Sequence, residues 1–395
     1  MIETEIAVVG SGPAGATAAL LLARRGHRVV VLDRARFPRD KACGEGLMPP
    51  GVAVLRRLGL YDAVIATGAR PLLGVTYRHS GESGPEACAS FPEPPDGDQV
   101  SGLGIRRTRF DKVLVDALRR EPNVTVLEGE LVTGLVRDRA GDVTGVTARG
   151  EAVRAAVVIG ADGLHSGVRS WAGLAARPAR RGRYGLAGHW RLATRGRTHV
   201  RVTFCDGHEW YEAPVGSDEL LVSVLISPSG PRISARTYES AARAAIPALR
   251  DAELAAGPLG AAQFAQRARA VAEGSVYLVG DAAGYDDPTT GEGLAIGMLL
   301  AERLALRIHQ AQSGRMSQPA AVQRYRADHA RLVRDRHRLT RLALLMASVP
   351  WLSRRAVARA AGDDPRALVK LLGINCGYQS FTSLTPRDWF ALAGL

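Results

Sequence analysis

The sequence predicts an α/β protein, α+β overall, in which a parallel-sheet domain is combined with an inserted antiparallel sheet and a helical C-terminal region. An apolar run at residues 6–9, an Ala- and Leu-rich segment at 14–25 and a β-branched run at 29–32 form a β-α-β unit, whose parallel strands require the connecting helix. Alternating segments such as "HVRVTF" and "ELLVSVLI" within residues 183–227 predict the antiparallel sheet. Helical composition dominates from about Met316.

The remaining elements follow from the same hydrophobic periods and breaker residues. We expect helices at residues 110–120 and 238–254, and a long helix that begins near Gly293. Strands are expected at residues 124–127, 129–136, 143–148, 157–159 and 276–281. The chain therefore leaves and re-enters the parallel-sheet domain.

Composition and charge indicate whether the protein binds nucleic acid. The 395 residues carry a formal net charge of +13, but 49 of the 52 basic residues are arginines, and only Lys41, Lys112 and Lys370 are lysines. The arginines are interspersed with acidic residues, as in "RYRADHARLVRDRHRL" at 324–339, which indicates a solvated helix face. We therefore expect no nucleic-acid partner.

The cysteines and the apolar stretches indicate where in the cell the protein is located. Cys43, Cys88, Cys205 and Cys376 are far apart and form no C-x-x-C pair, so we expect no disulfide framework and no metal site. The N-terminus has no signal-peptide pattern. The longest apolar stretches, such as residues 342–352, are shorter than the about 20 residues that cross a bilayer. These features predict a cytoplasmic protein with at most peripheral membrane contact.

A glycine-rich turn links the first predicted strand and helix. In "GSGPAGATAA", Gly10, Gly12 and Gly15 have G-x-G-x-x-G spacing, and Pro13 and Ala14 begin the helix. The first glycine permits a tight turn, the second lets a pyrophosphate approach, and the third lets the helix pack on the strand. The helix N-terminus then presents unpaired N–H groups to the phosphates.

An acidic residue completes this unit. Asp33 ends the second strand, where its carboxylate can accept hydrogen bonds from ribose hydroxyls, and Arg34 follows it. Strand, glycine turn, helix and acid together predict a Rossmann-like dinucleotide-binding domain.

Two further motifs indicate which dinucleotide is bound. The stretches "GADGLHSGVR" at 160–169 and "VYLVGDAAGYDDPTTGEGLAIGM" at 276–298 each include or follow a predicted strand. With the turn at residues 10–15, they resemble the large family of FAD-dependent oxidoreductases that includes aromatic hydroxylases, geranylgeranyl reductases and flavin-dependent halogenases. The resemblance covers residues 1 to about 310 and implies FAD as the cofactor.

The resemblance also implies a division of the chain. We expect an FAD-binding domain at residues 1–75, 101–175 and 271–315, a substrate domain at 76–100 and 176–270, and a helical C-terminal region at 316–395. Segments such as "RALVKLLGINCGY" are expected to cover the substrate pocket with their apolar faces.

The third motif is expected to hold the flavin. By resemblance, its contacts to FAD come from Gly280, Asp281, Pro288, Gly291, Gly293 and Leu294. Asp281 would bond the ribityl chain, and Pro288 would line the place where oxygen meets the flavin. The helix that begins near Gly293 would stabilise the negative charge of reduced flavin with its N-terminus.

Other positions are expected to contact FAD from elsewhere in the chain. Lys41 resembles the basic residue that neutralises the pyrophosphate, and Gly44 lets main chain lie against the flavin ring without a Cβ. Arg107 resembles an arginine that contacts the cofactor. Val132 matches a position near adenine, and Asp162 resembles an acid that supports FAD indirectly.

The loop "KACGEGLMPPG" at 41–51 leaves the subfamily open. Cys43 resembles the cysteine of the geranylgeranyl reductases, whereas the rest of the loop also resembles the halogenases. Halogenases need a lysine some tens of residues later, and none lies between Lys41 and Lys112. The segment ending "YEAPVG" resembles the sheet of small-molecule monooxygenases, which favours monooxygenation.

The favoured function is therefore FAD-dependent monooxygenation of an electron-rich, phenolic or polyketide-like, lipophilic small molecule through a flavin C4a-hydroperoxide. Molecular oxygen would be the second substrate. Because no second glycine fingerprint follows a strand, NADPH or NADH would bind transiently, or a separate flavin reductase would supply the electrons. The alternative is a geranylgeranyl-reductase-like reduction of isoprenoid double bonds. A halogenase and a non-enzymatic electron-transfer flavoprotein are less favoured.

Catalytic groups are expected from the flavin loops and the antiparallel sheet. Pro288 and Gly291 would help to keep water from the reacting oxygen, because water promotes loss of peroxide. Cys43 is the candidate from the 41–51 loop. A general base for the substrate is expected on the sheet. The candidates there are His189, His199, Tyr211 and Glu212, of which we select Tyr211 and His189.

Overall fold

The computed structural model describes residues 2–80, 86–95, 97, 101–176, 182–362 and 365–394. Its helices are α1 (Pro13–Ala23), α2 (Pro49–Arg57), α3 (Tyr61–Ile65), α4 (Arg107–Arg120), α5 (Gly167–Trp171), α6 (Tyr238–Ala245), α7 (Gly293–Gln312), α8 (Gln318–Ser348), α9 (Pro350–Gly362), α10 (Arg366–Cys376) and α11 (Pro386–Leu392). Short 3-10 turns lie at Pro247–Leu249, Gly280–Ala283, Pro288–Thr290 and Phe381–Ser383.

The strands of the described residues form four sheets. In chain order they are β1 (Ile2–Val9), β2 (Val29–Asp33), β3 (Gly46–Leu47), β4 (Arg70–Leu72), β5 (Gly74–His79), β6 (Ala87–Ser90), β7 (Gly102–Gly104), β8 (Val124–Glu128), β9 (Val132–Arg137), β10 (Val143–Ala148), β11 (Glu151–Gly160), β12 (Tyr184–Arg191), β13 (His199–Cys205), β14 (His208–Pro214), β15 (Glu219–Ile226), β16 (Glu253–Ala262), β17 (Gln266–Arg267), β18 (Ala272–Glu273), β19 (Val276–Leu278) and β20 (Gly284–Tyr285). Two of the sheets are small, β3-β7-β4 and β17-β20.

The largest sheet contains the predicted β-α-β unit. Its parallel strands follow the order β19-β11-β1-β2-β8, with β18, β10 and β9 added in antiparallel pairing. Val9, Leu32, Gly160 and Leu278 are neighbours in register at the ends of four of these strands. Because the carboxyl ends of parallel strands share one edge of the sheet, the turns that follow them meet there.

A seven-stranded sheet of order β16-β12-β15-β14-β13-β5-β6 makes up the second layer. Its pairs are antiparallel except for β13 with β5. Strands β12 to β15 occupy the region predicted to be an antiparallel sheet. Trp190, Trp210 and Tyr238 are fully buried between this sheet and α6, and they pack as an aromatic cluster.

The predicted helix at residues 238–254 is wrong in its second half. α6 ends at Ala245, and β16 pairs with β12 as an edge strand of the second sheet. Pro247 has no N–H to donate, and Ile246 before it is extended with φ −127° and ψ 94°, so the helix ends there. β16 is rich in Ala and Gly, which have little strand propensity. Pairing with β12 decides its conformation.

Two other predicted elements have different bounds. The strand expected at 129–136 begins at Val132, because Gly129 adopts φ +73° in a turn. The strand expected at 276–281 ends at Leu278, and Gly280–Ala283 forms a 3-10 turn. In both places a glycine with positive φ shortens the strand that the apolar pattern suggests, at its start near Gly129 and at its end near Gly280.

The C-terminal region is helical, and it lies against both sheets. α8 packs against α7, whereas α9 and α10 pack against β6 of the seven-stranded sheet. α11 packs on α9 and α10. Among the helices of the described residues, none has the length and apolar content that a membrane crossing requires.

Candidate cofactor and substrate site

The glycine-rich turn and the "GADG" turn pack backbone to backbone at the carboxyl edge of the parallel sheet. Gly10 adopts φ +99°, and a Cβ there would lie 2.4 Å from the carbonyl oxygen of Ala161. A Cβ on Gly15 would lie 2.0 Å from the carbonyl oxygen of Gly10. These distances leave no space for side chains, so glycine is required at both positions. The first and second motifs are thereby in direct contact.

Asp162 and Arg169 connect the second motif to the third. The Asp162 carboxylate accepts a hydrogen bond from the Val168 N–H at 3.1 Å and holds the start of α5. The buried guanidinium of Arg169 donates to the carbonyl oxygens of Ala282 at 3.0 Å and Asp281 at 3.3 Å. Sequence reasoning missed Arg169, although it ends the motif "GADGLHSGVR". It positions the turn that carries Asp281.

One cavity of about 870 Å³ collects nearly all of the predicted site residues. Those that line it are Gly10, Gly12, Pro13, Ala14, Asp33, Arg34, Lys41, Cys43, Gly44, Arg107, Val132, Asp162, Tyr211, Gly280, Asp281, Pro288, Gly291, Gly293 and Leu294. Gly15 lies behind the turn against Gly10, and His189 is not among the lining residues. The three motifs therefore converge on one space.

Two helix N-termini border this cavity. Within the described residues, no side chain caps α1 or α7, so their first N–H groups and positive dipole ends are available to anionic groups. A Cβ on Gly12 would meet only the Arg39 side chain, at 3.7 Å, and a Cβ on Gly44 would meet nothing within 4 Å. The cavity thus has room for a pyrophosphate at α1 and for a flat ring beside Gly44.

The charged groups at the nucleotide end differ in part from the predicted set. The Asp33 carboxylate accepts hydrogen bonds from the Ser11 N–H at 2.8 Å and the Ser11 hydroxyl at 2.9 Å, and so it also fixes the glycine turn. Lys41 lies 3.8 Å from the Asp281 carboxylate. Arg39, which sequence reasoning missed, is the cation beside Gly12. Its position in the basic segment "RFPRDK" was the available signal.

Glu45 holds the loop that follows β2. It has φ +54°, and its buried carboxylate accepts a hydrogen bond from the Arg107 N–H at 2.7 Å and lies 2.9 Å from Nε2 of His189. Burial raises the pKa of Glu45, although His189 acts in the opposite direction. His189 is therefore engaged behind the loop and does not face the cavity. Cys43, whose Sγ accepts from the Glu45 N–H at 3.3 Å, lines the cavity.

A buried polar cluster connects the seven-stranded sheet to the 3-10 turn before α7. The Arg183 guanidinium pairs with Glu209 and, at 3.1 Å, with Asp287. The Tyr211 hydroxyl lies 3.2 Å from the Glu209 carboxylate and 3.0 Å from the Thr289 hydroxyl. Asp287 accepts a hydrogen bond from the Thr289 N–H at 3.0 Å. Two acids thus share one arginine next to the 3-10 turn at Pro288–Thr290, which we call the flavin turn.

Burial changes the ionisation of this cluster. It raises the pKa of Asp287 to about 6, although Arg183 acts in the opposite direction. Burial and the Glu209 carboxylate raise the pKa of Tyr211 well above its ordinary range, so the phenol keeps its proton. Glu212 is instead paired with Arg197 at 3.2 Å, and neither it nor His199 is among the lining residues. Tyr211 is therefore the predicted base candidate that faces the cavity.

The far part of the cavity is walled by apolar side chains. The seven-stranded sheet supplies Val202 and Leu221, and the C-terminal helices supply Leu342, among others. The Asn375 side-chain amide of α10 donates to the Thr290 carbonyl oxygen at 2.7 Å, which fixes this helix to the flavin turn. The C-terminal helices therefore form part of the cavity wall, as the sequence predicts.

Three converging glycine turns and two uncapped helix N-termini define a dinucleotide-binding flavoprotein. The chain belongs to the FAD binding domain family, which it matches over residues 3–338. The prediction of FAD as the cofactor is confirmed at this level. When bound, FAD would be held by the α1 and α7 N-termini and by the turns that carry Asp33 and Asp281.

Similar proteins include both reductases and monooxygenases. The chain is 36% identical over 167 residues to the menaquinone reductase of Mycolicibacterium smegmatis, a match that covers 42% of this chain and 38% of that protein. It is 35% identical over 175 residues to the 6-methylpretetramide 4-monooxygenase of Streptomyces rimosus, covering 44% of this chain and 41% of that protein. These matches span less than half of either relative.

Solved structures with the same fold include PqsL, a probable FAD-dependent monooxygenase from Pseudomonas aeruginosa. It superposes with a TM-score of 0.66 at 22% sequence identity, and the alignment covers 83% of this chain and 92% of that chain. A likeness at this level of identity shows the fold. The predicted α/β class with an added antiparallel sheet is confirmed.

Replacing Arg39 should weaken FAD binding more than replacing Lys41. In Arg39→Gln the cation beside Gly12 is lost, whereas Lys41→Gln removes a charge that lies by Asp281. A lost charge-assisted hydrogen bond costs about 2 kcal/mol, so we expect a roughly 30-fold higher Kd for Arg39→Gln. Titration of the apoproteins with FAD measures this. An equal or larger effect of Lys41→Gln would assign the pyrophosphate contact to the lysine.

The raised pKa of Asp287 predicts a pH-dependent stability difference between the wild type and Asp287→Asn. A carboxyl whose pKa is about 6 when folded and 3.8 when unfolded stabilises the fold fully below pH 3.8, and this stabilisation is lost as pH rises through about 6. The free energy of unfolding of the wild type should fall, relative to the variant, by about 2 kcal/mol between about pH 4 and pH 7. Denaturant unfolding at both pH values measures it. A constant difference would contradict the assignment.

Proposed function

We propose that this protein is an FAD-dependent oxidoreductase, and specifically a monooxygenase that hydroxylates an electron-rich, phenolic or polyketide-like lipophilic molecule. The observation that carries the proposal is the Tyr211 phenol. It lies on the cavity wall, is bonded to the buried Glu209 and contacts Thr289 in the flavin turn. A largely apolar cavity with a few polar groups in its wall, the Tyr211 hydroxyl among them, suits a lipophilic substrate that has an oxygen substituent.

The chain contributes three things to such a reaction. The uncapped α7 N-terminus stabilises negative charge next to Gly293 and Leu294. The apolar wall excludes water from the place where the substrate reacts. Bound FAD would supply electron transfer and oxygen activation, with NADPH, NADH or a separate flavin reductase as the source of electrons. Pro288 and Gly291 line this part of the cavity.

Tyr211 and Glu209 provide the acid–base function. A substrate O–H can donate to the Tyr211 phenolic oxygen while the Tyr211 O–H donates to the Glu209 carboxylate, so the substrate proton replaces the tyrosine proton, which moves to Glu209. Because Glu209 is held by Arg183, it remains in place during the transfer. A substrate phenol held at Tyr211 would be activated for attack at a ring carbon. This assigns the base role of the sheet to Tyr211 and gives His189 a supporting role behind Glu45.

Reduction of isoprenoid carbon–carbon double bonds is the second candidate. It is favoured by the aliphatic wall of the cavity, by Cys43 at its edge and by the likeness to a menaquinone reductase. Such a reaction would need no oxygen and no activating hydroxyl on the substrate. Tyr211 would then act only as a proton donor.

The oxygen requirement separates the two candidates. The purified FAD-loaded protein is supplied with NADPH, or with a flavin reductase and NADPH, and with a panel of phenolic, polyketide and polyprenyl compounds. We expect a product that contains one atom from isotopically labelled molecular oxygen. A product with two added hydrogens, formed equally well without oxygen, would establish the reductase instead.

Tyr211→Phe should retain FAD but lose most of the turnover. General acid–base groups contribute about 10²- to 10⁴-fold, so we expect a fall in kcat of at least about 100-fold. Tyr184→Phe is the matched control, because the Tyr184 hydroxyl bonds backbone carbonyls at Pro231 and Ile233. Product formation and flavin content are measured together. Unchanged kcat in Tyr211→Phe would remove the tyrosine from the mechanism.

A further inference from the structure

Exposed aromatic side chains are concentrated in the C-terminal helices. Of the described Trp and Phe residues four are exposed, and three of these lie within α9 and α11: Trp351 at 60%, Trp389 at 41% and Phe390 at 59%. α11 packs on α9, and a Cβ on Gly394, just after α11, would lie 2.3 Å from Cβ of Arg355. Large apolar side chains rarely remain exposed in groups without a partner.

α9 has one face toward the cavity and one toward solvent. Ala356 and Val357 are buried and line the apolar cavity. On the opposite face, at helical spacing, lie Trp351, Arg355 and the further exposed arginines Arg354 and Arg359. A tryptophan at one end and arginines along the polar face are typical of a helix that lies in a membrane interface.

The last turns of α8 repeat this arrangement. Leu342 and Met346 line the cavity, whereas Arg341 and Leu345 are exposed, and Leu345 is 54% exposed. The same two helices therefore separate an apolar cavity from a surface that is both apolar and cationic. We call this surface, formed by the exposed residues of α8 from Arg341 and of α9, the C-terminal face.

The charge of this region indicates the kind of partner. From residue 341 to the C-terminus the sequence has six arginines and one lysine against three aspartates, and Asp388 is already paired with Lys370 at 2.7 Å. The chain as a whole carries +13. Arginine binds phosphate groups, and the indole ring of tryptophan prefers the boundary between lipid headgroups and acyl chains. The two residue types together therefore favour the surface of a lipid bilayer with anionic headgroups as the partner.

We propose that the C-terminal face binds the surface of a lipid bilayer that contains anionic lipids. Trp351 and Leu345 enter the headgroup region, and Arg341 and Arg355 bind lipid phosphates. The arginines are attracted to the anionic bilayer surface, and the apolar side chains add burial. The contact is peripheral, and it involves no spanning segment. Binding does not depend on which reaction the flavin supports.

Co-sedimentation with vesicles tests the proposal on the full FAD-loaded chain. The vesicles are phosphatidylcholine alone or phosphatidylcholine with phosphatidylglycerol at about 3:1. We expect binding to the mixed vesicles, weaker binding to the neutral ones, and a decrease with added salt. The double variant Trp351→Ser/Arg355→Glu should bind the mixed vesicles at least about tenfold more weakly.

The matched control is Ile65→Ser/Arg139→Glu, which likewise replaces one exposed apolar side chain by serine and one exposed arginine by glutamate, on α3 and in the β9–β10 turn. It should bind the vesicles like the wild type. Equal binding by both double variants, or no binding by the wild type, overturns the proposal. A wild-type dimer that the Trp351→Ser/Arg355→Glu change dissociates would show that a second copy covers the face. If the Trp351→Ser/Arg355→Glu variant does not fold, the wild type alone tests the proposal. Binding that needs phosphatidylglycerol and decreases with salt supports it, and binding that needs neither contradicts it.

Discussion

Gly15→Ala is expected to yield a protein that retains no FAD and unfolds more easily than the wild type. The added Cβ would lie 2.0 Å from the Gly10 carbonyl oxygen and 2.9 Å from the Ala161 Cβ, so it forces two cofactor-binding turns apart. Overpacking costs about 1–3 kcal/mol in ordinary cores, and a clash with backbone belongs at the upper end. Flavin absorbance per protein and denaturant unfolding measure the two effects.

Gly134→Ala provides the control for this experiment. Gly134 lies in β9 of the same sheet, and a Cβ there would meet nothing within 4 Å. It should retain FAD and change the free energy of unfolding by less than about 0.5 kcal/mol. Full flavin content in Gly15→Ala would show that the turn is not packed as described.

Arg183→Ala should lower the free energy of unfolding by about 3–5 kcal/mol at neutral pH. Without the guanidinium, Glu209 and Asp287 are left as two buried carboxylates, and an unpaired buried charge is costly. The pKa of Asp287 would rise further, so the deficit should shrink as the pH is lowered toward about 5. Turnover should fall as well, because Glu209 orients Tyr211.

Arg191→Ala at the other end of β12 is the comparison. Arg191 and Glu253 form an exposed ion pair at 3.0 Å, and such pairs contribute about 0–1 kcal/mol. The two variants remove the same side chain from one strand region and differ in burial. If Arg183→Ala cost no more than Arg191→Ala, the cluster would have no structural role.

Much of the fold follows from local pattern. The strands β1, β2 and β12 to β15 and the helices α1, α7 and α8 are predictable because their hydrophobic periods match the covered faces. Strand β16 was not predictable, because its Ala- and Gly-rich sequence carries no strand signal and its partner β12 is far away in the chain. The helix predicted across Pro247 failed for a local reason that the sequence did contain.

The residues of the site also fall into those that the sequence reveals and those that only the structure reveals. The glycine turns, Asp33 and the Pro288–Thr290 turn are recognisable because their roles depend on backbone conformation and short spacings. Glu45 and Asn375 are not recognisable, because each acts through a residue distant in sequence, and the basic segment that contains Arg39 does not show which of its cations lies beside Gly12. Arg183 and Asp287 are 104 positions apart. Only folding makes such pairs neighbours.

The sequence by itself determined a dinucleotide-binding β-α-β unit, because its glycine turn, helix and acid depend on short spacings, and the resemblance of its three motifs to a known family implied that the dinucleotide is FAD. The tertiary structure alone decided that the Arg39 side chain lies beside Gly12, which of the four base candidates lines the cavity, and which helix faces enclose it. The physical reason for this difference is the separation in sequence of the residues that interact. Backbone conformation is set by neighbours in the chain, whereas charge pairing and burial are set by residues that meet only in the folded protein.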